Sequence, residues 1–155
     1  MKPSVYIETT IPSYLVARPS RDVVLAGHQQ VTHDWWQKSR HDHHLYISEY
    51  VIAEVSRGEP LMAQQRRDVL QGISLLPVNA ETEGLARKLI QRLGLPDHAK
   101  TDAYHIAVAA VHGVDFLLTW NSTHINNMHM QRRIELTCRE AGYSTPVIGT
   151  PEELA

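Results

Sequence analysis

A carboxylate interrupts the first apolar run of the chain. The segment 5–7 (Val-Tyr-Ile) favours a buried strand, but Glu8 places a charge where that run would continue. Two threonines and a proline then end the predicted strand. Burying a carboxylate beside a core strand costs free energy unless the charge has a partner. Glu8 is therefore a candidate functional residue.

Two further acids and one amide occupy comparable positions. Glu54 lies on a predicted helix in "SEYVIAEVSRG", Asp102 lies near the start of the predicted helix 99–113, and Asn121 follows the predicted strand 114–120. In an open parallel sheet, sites form beyond the carboxyl ends of the strands, where the strand order reverses. We therefore expect Glu8, Glu54, Asp102 and Asn121 to converge there.

The expected cluster predicts a divalent metal ion. Two carboxylates about 4 Å apart repel by roughly 4 kcal/mol at an effective dielectric of 20, and a third adds more. Oxygen ligands without cysteine favour Mg²⁺ or Mn²⁺. Such an ion polarises a phosphoryl oxygen and lowers the pKa of an attacking water, which suits phosphodiester hydrolysis.

Each acid also has a simpler interpretation. With Asp97 as the predicted N-cap, Asp102 lies beyond the first helical turn, where capping does not explain it. The alternative is an aspartate favoured by the helix dipole. Glu54, taken alone, fits a solvated helix residue equally well.

The histidines give weaker signals. His105, one turn after Asp102, and His124, just after Asn121, could contact a phosphate or a metal-bound water, although a packed or solvated histidine is the favoured interpretation. The segment 40–44 ("RHDHH") is histidine-rich but has no second ligand cluster at zinc spacing, so zinc binding is not expected there.

Strand and helix signals alternate along the chain and predict an α/β fold. The predicted strands are 5–8, 44–48, 73–78, 114–120 and 145–149. The predicted helices are one that starts near Ser20 as its N-cap, and then 49–58, 60–72, 81–94, 99–113 and 130–142. Strands joined by helical crossovers indicate a mostly parallel sheet covered on both faces, in one domain spanning 1–155.

Composition limits the functional classes. The chain of 155 residues has a net charge of −2, from 15 basic and 17 acidic residues, and gives no global electrostatic case for nucleic-acid binding. The single cysteine, Cys138, excludes a disulfide framework and predicts a buried thiol. We expect a cytoplasmic protein without membrane segments, since no signal peptide or long apolar run is visible.

At these residues the sequence resembles the PIN domain family, the metal-dependent ribonuclease fold of VapC-type toxins. The resemblance covers nearly the whole chain and is carried by "VYIETTIPSY", "SEYVIAEVSRG", "TDAYHIAVAAVHGVDFLLTWN" and "HINN". It implies a three-layer α/β/α domain. By match, the four acid positions around Mg²⁺ or Mn²⁺ fall on Glu8, Glu54, Asp102 and Asn121.

The resemblance also implies an RNA substrate, an antitoxin partner and a homodimer. The second helix predicts such an interface, because its apolar positions exceed what one sheet face needs. These positions are Val24, Leu25, His28, Val31, Trp35 and Trp36. The two tryptophans could instead stack on bases, but packing is the favoured interpretation.

Two departures from the family pattern leave an alternative open. Glu8 stands where aspartate is usual, and Asn121 removes a charge at a position that is often aspartate. The alternative function is a catalytically weak or inactive binding module of the same fold. A response-regulator phosphoacceptor is disfavoured, because 73–79 does not end in an aspartate and 145–150 does not end in a lysine.

Overall fold

Five short strands alternate with seven α-helices in the computed structural model, which describes residues 1–155. In chain order these are β1 (Ser4–Ile7), α1 (Thr10–Val16), α2 (Val23–Asp34), β2 (His44–Ile47), α3 (Glu49–Val55), α4 (Pro60–Val69), β3 (Ser74–Leu75), α5 (Ala80–Leu93), α6 (Lys100–Val111), β4 (Phe116–Leu118), α7 (Met128–Glu140) and β5 (Val147–Gly149). The predicted alternation of strands and helices is confirmed.

All five strands are parallel, in the order β3-β2-β1-β4-β5. β1 is central, and its Val5 lies opposite Leu45 of β2 and Phe116 of β4. The chain proceeds outward from β1 through β2 to β3 and then crosses to β4 and β5 on the other side. The strand order therefore reverses between β1 and β4, and a crevice forms at their carboxyl ends.

The helices cover the sheet in two groups, giving the predicted three-layer α/β/α architecture. α1 packs against α2 and α4, while α5 packs against α6 and α7. α3 contacts both α4 and α6. The central strands supply fully buried residues to the core, among them Tyr6, Ile7 and Leu117. Burial on both faces explains why β1 reads as a continuous apolar run.

The first helix was not predicted. The threonines and proline after Glu8 do end the strand, but a helix begins at once at Thr10. Pro12 lies in its first turn, where a missing backbone N–H removes no helical hydrogen bond. The same proline therefore marks the end of a strand and the start of a helix.

Two predicted caps were wrong, and one of them bears on the site. Asp22, not Ser20, caps α2 by accepting from Leu25 N at 3.0 Å. Asp97 does not cap α6, because it lies in a preceding 3₁₀ turn and pairs with Lys100 at 2.8 Å. Asp102 consequently lies in the first turn of α6, not beyond it.

Several strands are shorter than predicted because pairing limits them. β3 pairs with β2 over only Ser74 and Leu75, and Leu75 is 58% exposed at the sheet edge. Cys138 is buried, as predicted. None of the helices combines the length and apolar character that crossing a membrane requires.

Candidate metal centre

Glu8 lies at the carboxyl end of the central strand, beside β4. The register pairs Ile7 with Leu118, and Glu8 N donates to Leu118 O at 3.1 Å. This continues the ladder by one residue and brings the Glu8 side chain next to Thr119. Glu8 as a residue is only 3% exposed, so the sequence does place a buried carboxyl group at the end of its core strand.

Hydroxyl and amide donors surround one oxygen of Glu8. Its Oε1 accepts from Thr10 N at 3.0 Å, Thr10 Oγ1 at 2.5 Å and Thr119 Oγ1 at 2.7 Å. Its Oε2 accepts no hydrogen bond. Burial raises the pKa of Glu8 above its ordinary value of 4.5, and the charge of His105 and these hydrogen bonds offset only part of that rise.

Glu54 reaches the same crevice from α3. Its Oε1 accepts from Thr9 Oγ1 at 2.5 Å and lies 2.6 Å from His105 Nε2. Burial raises the pKa of this carboxyl, but the hydrogen bond and charge of His105, with the hydrogen bond from Thr9, outweigh that effect. The net pKa of Glu54 is lower than its ordinary value, so folding favours its ionised form.

His105 links Glu54 to the core of the sheet. It is fully buried on α6, and its Nδ1 lies 2.7 Å from the Tyr6 hydroxyl, which in turn lies 2.7 Å from Ser48 Oγ. Burial lowers the pKa of His105, but the hydrogen bond to Glu54 and the charges of Glu8 and Glu54 raise it, and the net pKa exceeds 6.5. Folding therefore favours the cationic ring, which offsets nearby negative charge.

Asp102 and Asn121 form a second group beside the first. Asp102 Oδ2 lies 3.2 Å from His124 Nδ1, and the nearby Asn121 side chain lowers the pKa of the same carboxyl group. Burial raises the pKa of Asp102 above 3.8, and the effects of Asn121, His105 and His124 do not cancel that rise. The charge of Glu54 also raises this pKa, so the two groups of residues are electrostatically coupled.

The amide oxygen of Asn121 is already used by the backbone. It accepts from Thr123 N at 3.2 Å and from His124 N at 3.1 Å, which closes a turn directly after β4. Asn121 N also donates to Thr119 Oγ1 at 2.9 Å. Asn121 therefore shapes the loop that holds His124 beside Asp102.

Trp120 anchors this loop to the helices on the other side of the crevice. Its ring stacks between His28, at a centroid distance of 4.2 Å, and Tyr14, at 5.7 Å. Its Nε1 donates to Thr32 Oγ1 at 2.8 Å, and its backbone N donates to Thr10 Oγ1 at 2.8 Å. Thr10 thus contacts both Glu8 and the loop after β4.

Three side chains have the spacing of a metal site. One ligand atom each from Glu8, Glu54 and His105 lies within 4.8 Å of the others. An ion bound about 2.0–2.4 Å from each ligand places opposite ligands roughly 4–5 Å apart, so this spacing fits. Glu8 Oε2, which accepts no hydrogen bond, is an available ligand atom. The donor set fits a divalent cation.

The sequence predicts a packed or solvated His105, and the ring is packed. Both of its ring nitrogens also have polar partners, and Nε2 faces the carboxylates. Its one-turn spacing from Asp102 was the available signal. The ligand group of metal-site spacing includes none of the histidines of segment 40–44.

Comparison with solved structures gives a match for the fold. A chain in the crystal structure of VapBC2 from Rickettsia felis bound to a DNA fragment from their promoter superposes with a TM-score of 0.60 at 16% sequence identity. The match covers 94% of this chain and 97% of that chain. No protein-family model matches the sequence. A search of curated proteins gives no match either.

The pKa shifts predict that the metal-free protein loses stability as pH rises. Glu8 has a raised folded-state pKa, so its contribution is fully present below pH 4.5 and is lost as pH rises through that pKa. His105 has a raised pKa too, so its contribution is present below pH 6.5 and is lost at higher pH. Urea denaturation in chelator should show a falling free energy of unfolding above pH 6.5.

A matched pair of histidine variants isolates the cause. His105→Gln should reduce the fall in the free energy of unfolding above pH 6.5. His129→Gln, which changes an exposed histidine on α7, should keep it. A parent protein whose stability stays level or increases over that range would contradict the assignment. Glu54 acts in the opposite sense, since its stabilisation is lost only as pH falls below 4.5.

Proposed function

We propose that this chain is a PIN-like, metal-dependent ribonuclease that hydrolyses RNA phosphodiester bonds, and that it acts as a VapC-like toxin of a type II toxin–antitoxin system. The observation that carries the proposal is the spacing of Glu8, Glu54 and His105 at the strand-order reversal. The fold shared with the VapBC2 chain supports it. We propose that residues 1–155 form one catalytic domain in the cytoplasm.

Glu8 and Glu54 would hold a Mg²⁺ or Mn²⁺ ion, with Asp102 and Asn121 completing the polar lining on the α6 side. Such an ion supplies Lewis-acid polarisation of the phosphoryl oxygen and lowers the pKa of a bound water. Hydrogen bonds hold the two glutamates in place. Thr10 and Thr119 donate to Glu8, and Thr9 and His105 hydrogen-bond Glu54. Little reorganisation is then needed when RNA arrives.

Asp102 is suited to exchange a proton with the attacking water or with the leaving oxygen. Its pKa is raised by burial, which makes it a better proton acceptor than an exposed aspartate. His124, 3.2 Å away, is placed to contact the phosphate or to relay a proton. Asn121 closes the turn that carries His124 and acts on the pKa of Asp102.

A catalytically weak binding module is the second candidate, and one observation favours it. The Asn121 oxygen is used by two backbone N–H groups, so it is not free to bind an ion as the aspartate of the family pattern would. In that case the fold binds nucleic acid or a protein partner without efficient cleavage.

The first test measures metal-dependent stability. Saturating Mg²⁺ or Mn²⁺ relieves the repulsion among the carboxylates, and an ion at 100 times its dissociation constant adds about 2.7 kcal/mol. We expect a higher Tm with metal and a much smaller response in Asp102→Asn, whose metal-free form is as stable as the parent or more so. If Asp102→Asn shows the same metal-induced rise in Tm as the parent, Asp102 is not part of the metal site.

The second test separates cleavage from binding. Asp102→Ala should abolish Mn²⁺-dependent cleavage of single-stranded RNA, because the site loses a carboxylate that the reaction needs. RNA binding should stay equal or become tighter, because a negative charge near the phosphates is gone. Both are measured on nuclease-free protein, by gel-resolved cleavage and by fluorescence anisotropy.

Asp68→Ala provides the matched control, because Asp68 is an exposed aspartate on α4. It should cleave as the parent does. Equal residual cleavage by the parent and Asp102→Ala would eliminate the nuclease and leave the binding module.

The partner surface we propose is the exposed start of α2. Val23 and Val24 are 86% and 67% exposed, and Leu25 is 37% exposed. Trp35 is buried, and Trp36 packs against the core beneath Arg40, whose guanidinium lies 4.3 Å from its ring centroid. The tryptophans therefore stabilise the fold, and the valines are free for a homodimer or an antitoxin.

Val24→Glu should weaken self-association without unfolding α2, because an acid is favourable in a first helical turn. Analytical ultracentrifugation over a range of protein concentrations measures the effect. Leu136→Glu, on the other helical layer and 44% exposed, is the control and should associate as the parent does. A parent that is monomeric throughout would refute the homodimer.

A further inference from the structure

His105 is built into the crevice in a way that packing alone does not require. The ring is fully buried, yet each nitrogen meets a polar atom: Nδ1 faces the Tyr6 hydroxyl at 2.7 Å and Nε2 faces Glu54 Oε1 at 2.6 Å. It is not one of the four positions that the family resemblance assigns to metal binding.

The Tyr6 contact determines which ring nitrogen of His105 can bind an ion. The Tyr6 hydroxyl can accept from Nδ1–H and donate to Ser48 Oγ, 2.7 Å away. In the metal-free protein Nε2–H donates to Glu54 Oε1 at 2.6 Å, and loss of that proton on metal binding would leave a lone pair directed at the carboxylates. A hydrogen bond on the remote nitrogen that fixes the tautomer is the usual support of a metal-binding histidine.

A separate observation points to a ligand at the same place. All three hydrogen bonds to the buried Glu8 carboxylate reach Oε1, which leaves Oε2 without a partner. Ligand atoms of Glu8, Glu54 and His105 all lie within 4.8 Å of one another. The three come from β1's end, α3 and α6, so they surround one point from different elements.

We propose that His105 Nε2 directly coordinates the divalent ion together with Glu8 and Glu54, and that this nitrogen makes the site select Mn²⁺ over Mg²⁺. The proposal rests on the proposed function, which supplies the need for an ion. Mg²⁺ is a hard cation that takes oxygen ligands and gives up water reluctantly. A first-row transition ion accepts imidazole more readily, so a mixed nitrogen and oxygen set favours Mn²⁺.

Pulsed electron paramagnetic resonance of Mn²⁺ bound to the full chain tests the coordination directly. Electron spin echo modulation should show ¹⁴N coupling of a directly bound imidazole, and ¹⁵N-histidine labelling should change it. Mn²⁺ bound with no nitrogen coupling would overturn the proposal. This measurement needs no variant, so it stands even where a substitution unfolds the protein.

Two histidine variants identify the nitrogen. His105→Asn should lose the coupling, while His124→Asn should keep it, because His124 lies beside Asp102 and outside the trio. Loss of the coupling in His124→Asn with retention in His105→Asn would overturn the assignment of His105.

Tyr6→Phe tests the supporting hydrogen bond while preserving the size of a fully buried side chain. By calorimetric titration we expect Mn²⁺ affinity to fall about 10- to 100-fold, the usual cost of removing such a support, with little change in Mg²⁺ affinity. Equal affinity of the parent for the two ions would refute the selectivity.

The outcomes separate this inference from the proposed function. Mn²⁺ binding with metal-dependent RNA cleavage but no nitrogen coupling would refute only the role of His105. Nitrogen coupling with cleavage that Asp102→Ala does not alter would instead refute the nuclease and keep the metal site.

Discussion

The buried carboxylate of Glu8 is the constraint on which the rest of the site depends. A charge that is 3% exposed needs compensation, and neighbouring elements provide it. Thr10 and Thr119 donate to it, and His105 provides a nearby positive charge. Even so, its pKa remains raised, so the protein alone does not fully compensate the charge. A divalent cation would complete that compensation.

The sheet topology brings side chains from several elements to the buried Glu8 carboxylate. Because β1 is central and β4 lies beside it after a long crossover, Glu8 meets Thr119 across 111 positions of sequence. α3 brings Glu54 and α6 brings His105 to the same edge. The side chains that define the crevice come from the end of a strand or from the body of a helix.

Glu8 and Asn121 use their side-chain oxygens in different ways. One oxygen of Glu8 accepts three hydrogen bonds, and the other accepts none. The Asn121 oxygen accepts from two backbone N–H groups and closes a turn. That turn holds His124, whose Nδ1 lies 3.2 Å from Asp102 Oδ2.

The sequence by itself determined the fold class and drew attention to Glu8 and Glu54, which the structure brings within ligand spacing. Apolar runs followed by turn residues, with helical spacing between them, indicate a parallel α/β sheet. A charge directly after a buried strand is recognisable from the sequence alone. The sequence did not determine where every helix begins. Asp97 has the residue type of an N-cap, but it forms an ion pair in a 3₁₀ turn, and that role depends on local geometry.

Only the tertiary structure decided which side chains share a point. Nothing local distinguishes His105 from a packed histidine, since its two partners, Tyr6 and Glu54, lie 99 and 51 positions away along the chain. The separation of Asp102 from the closest trio likewise depends on the orientation of α6 against the sheet. Spacing in sequence fixes the face of a helix, whereas distances between side chains of different elements are set by packing.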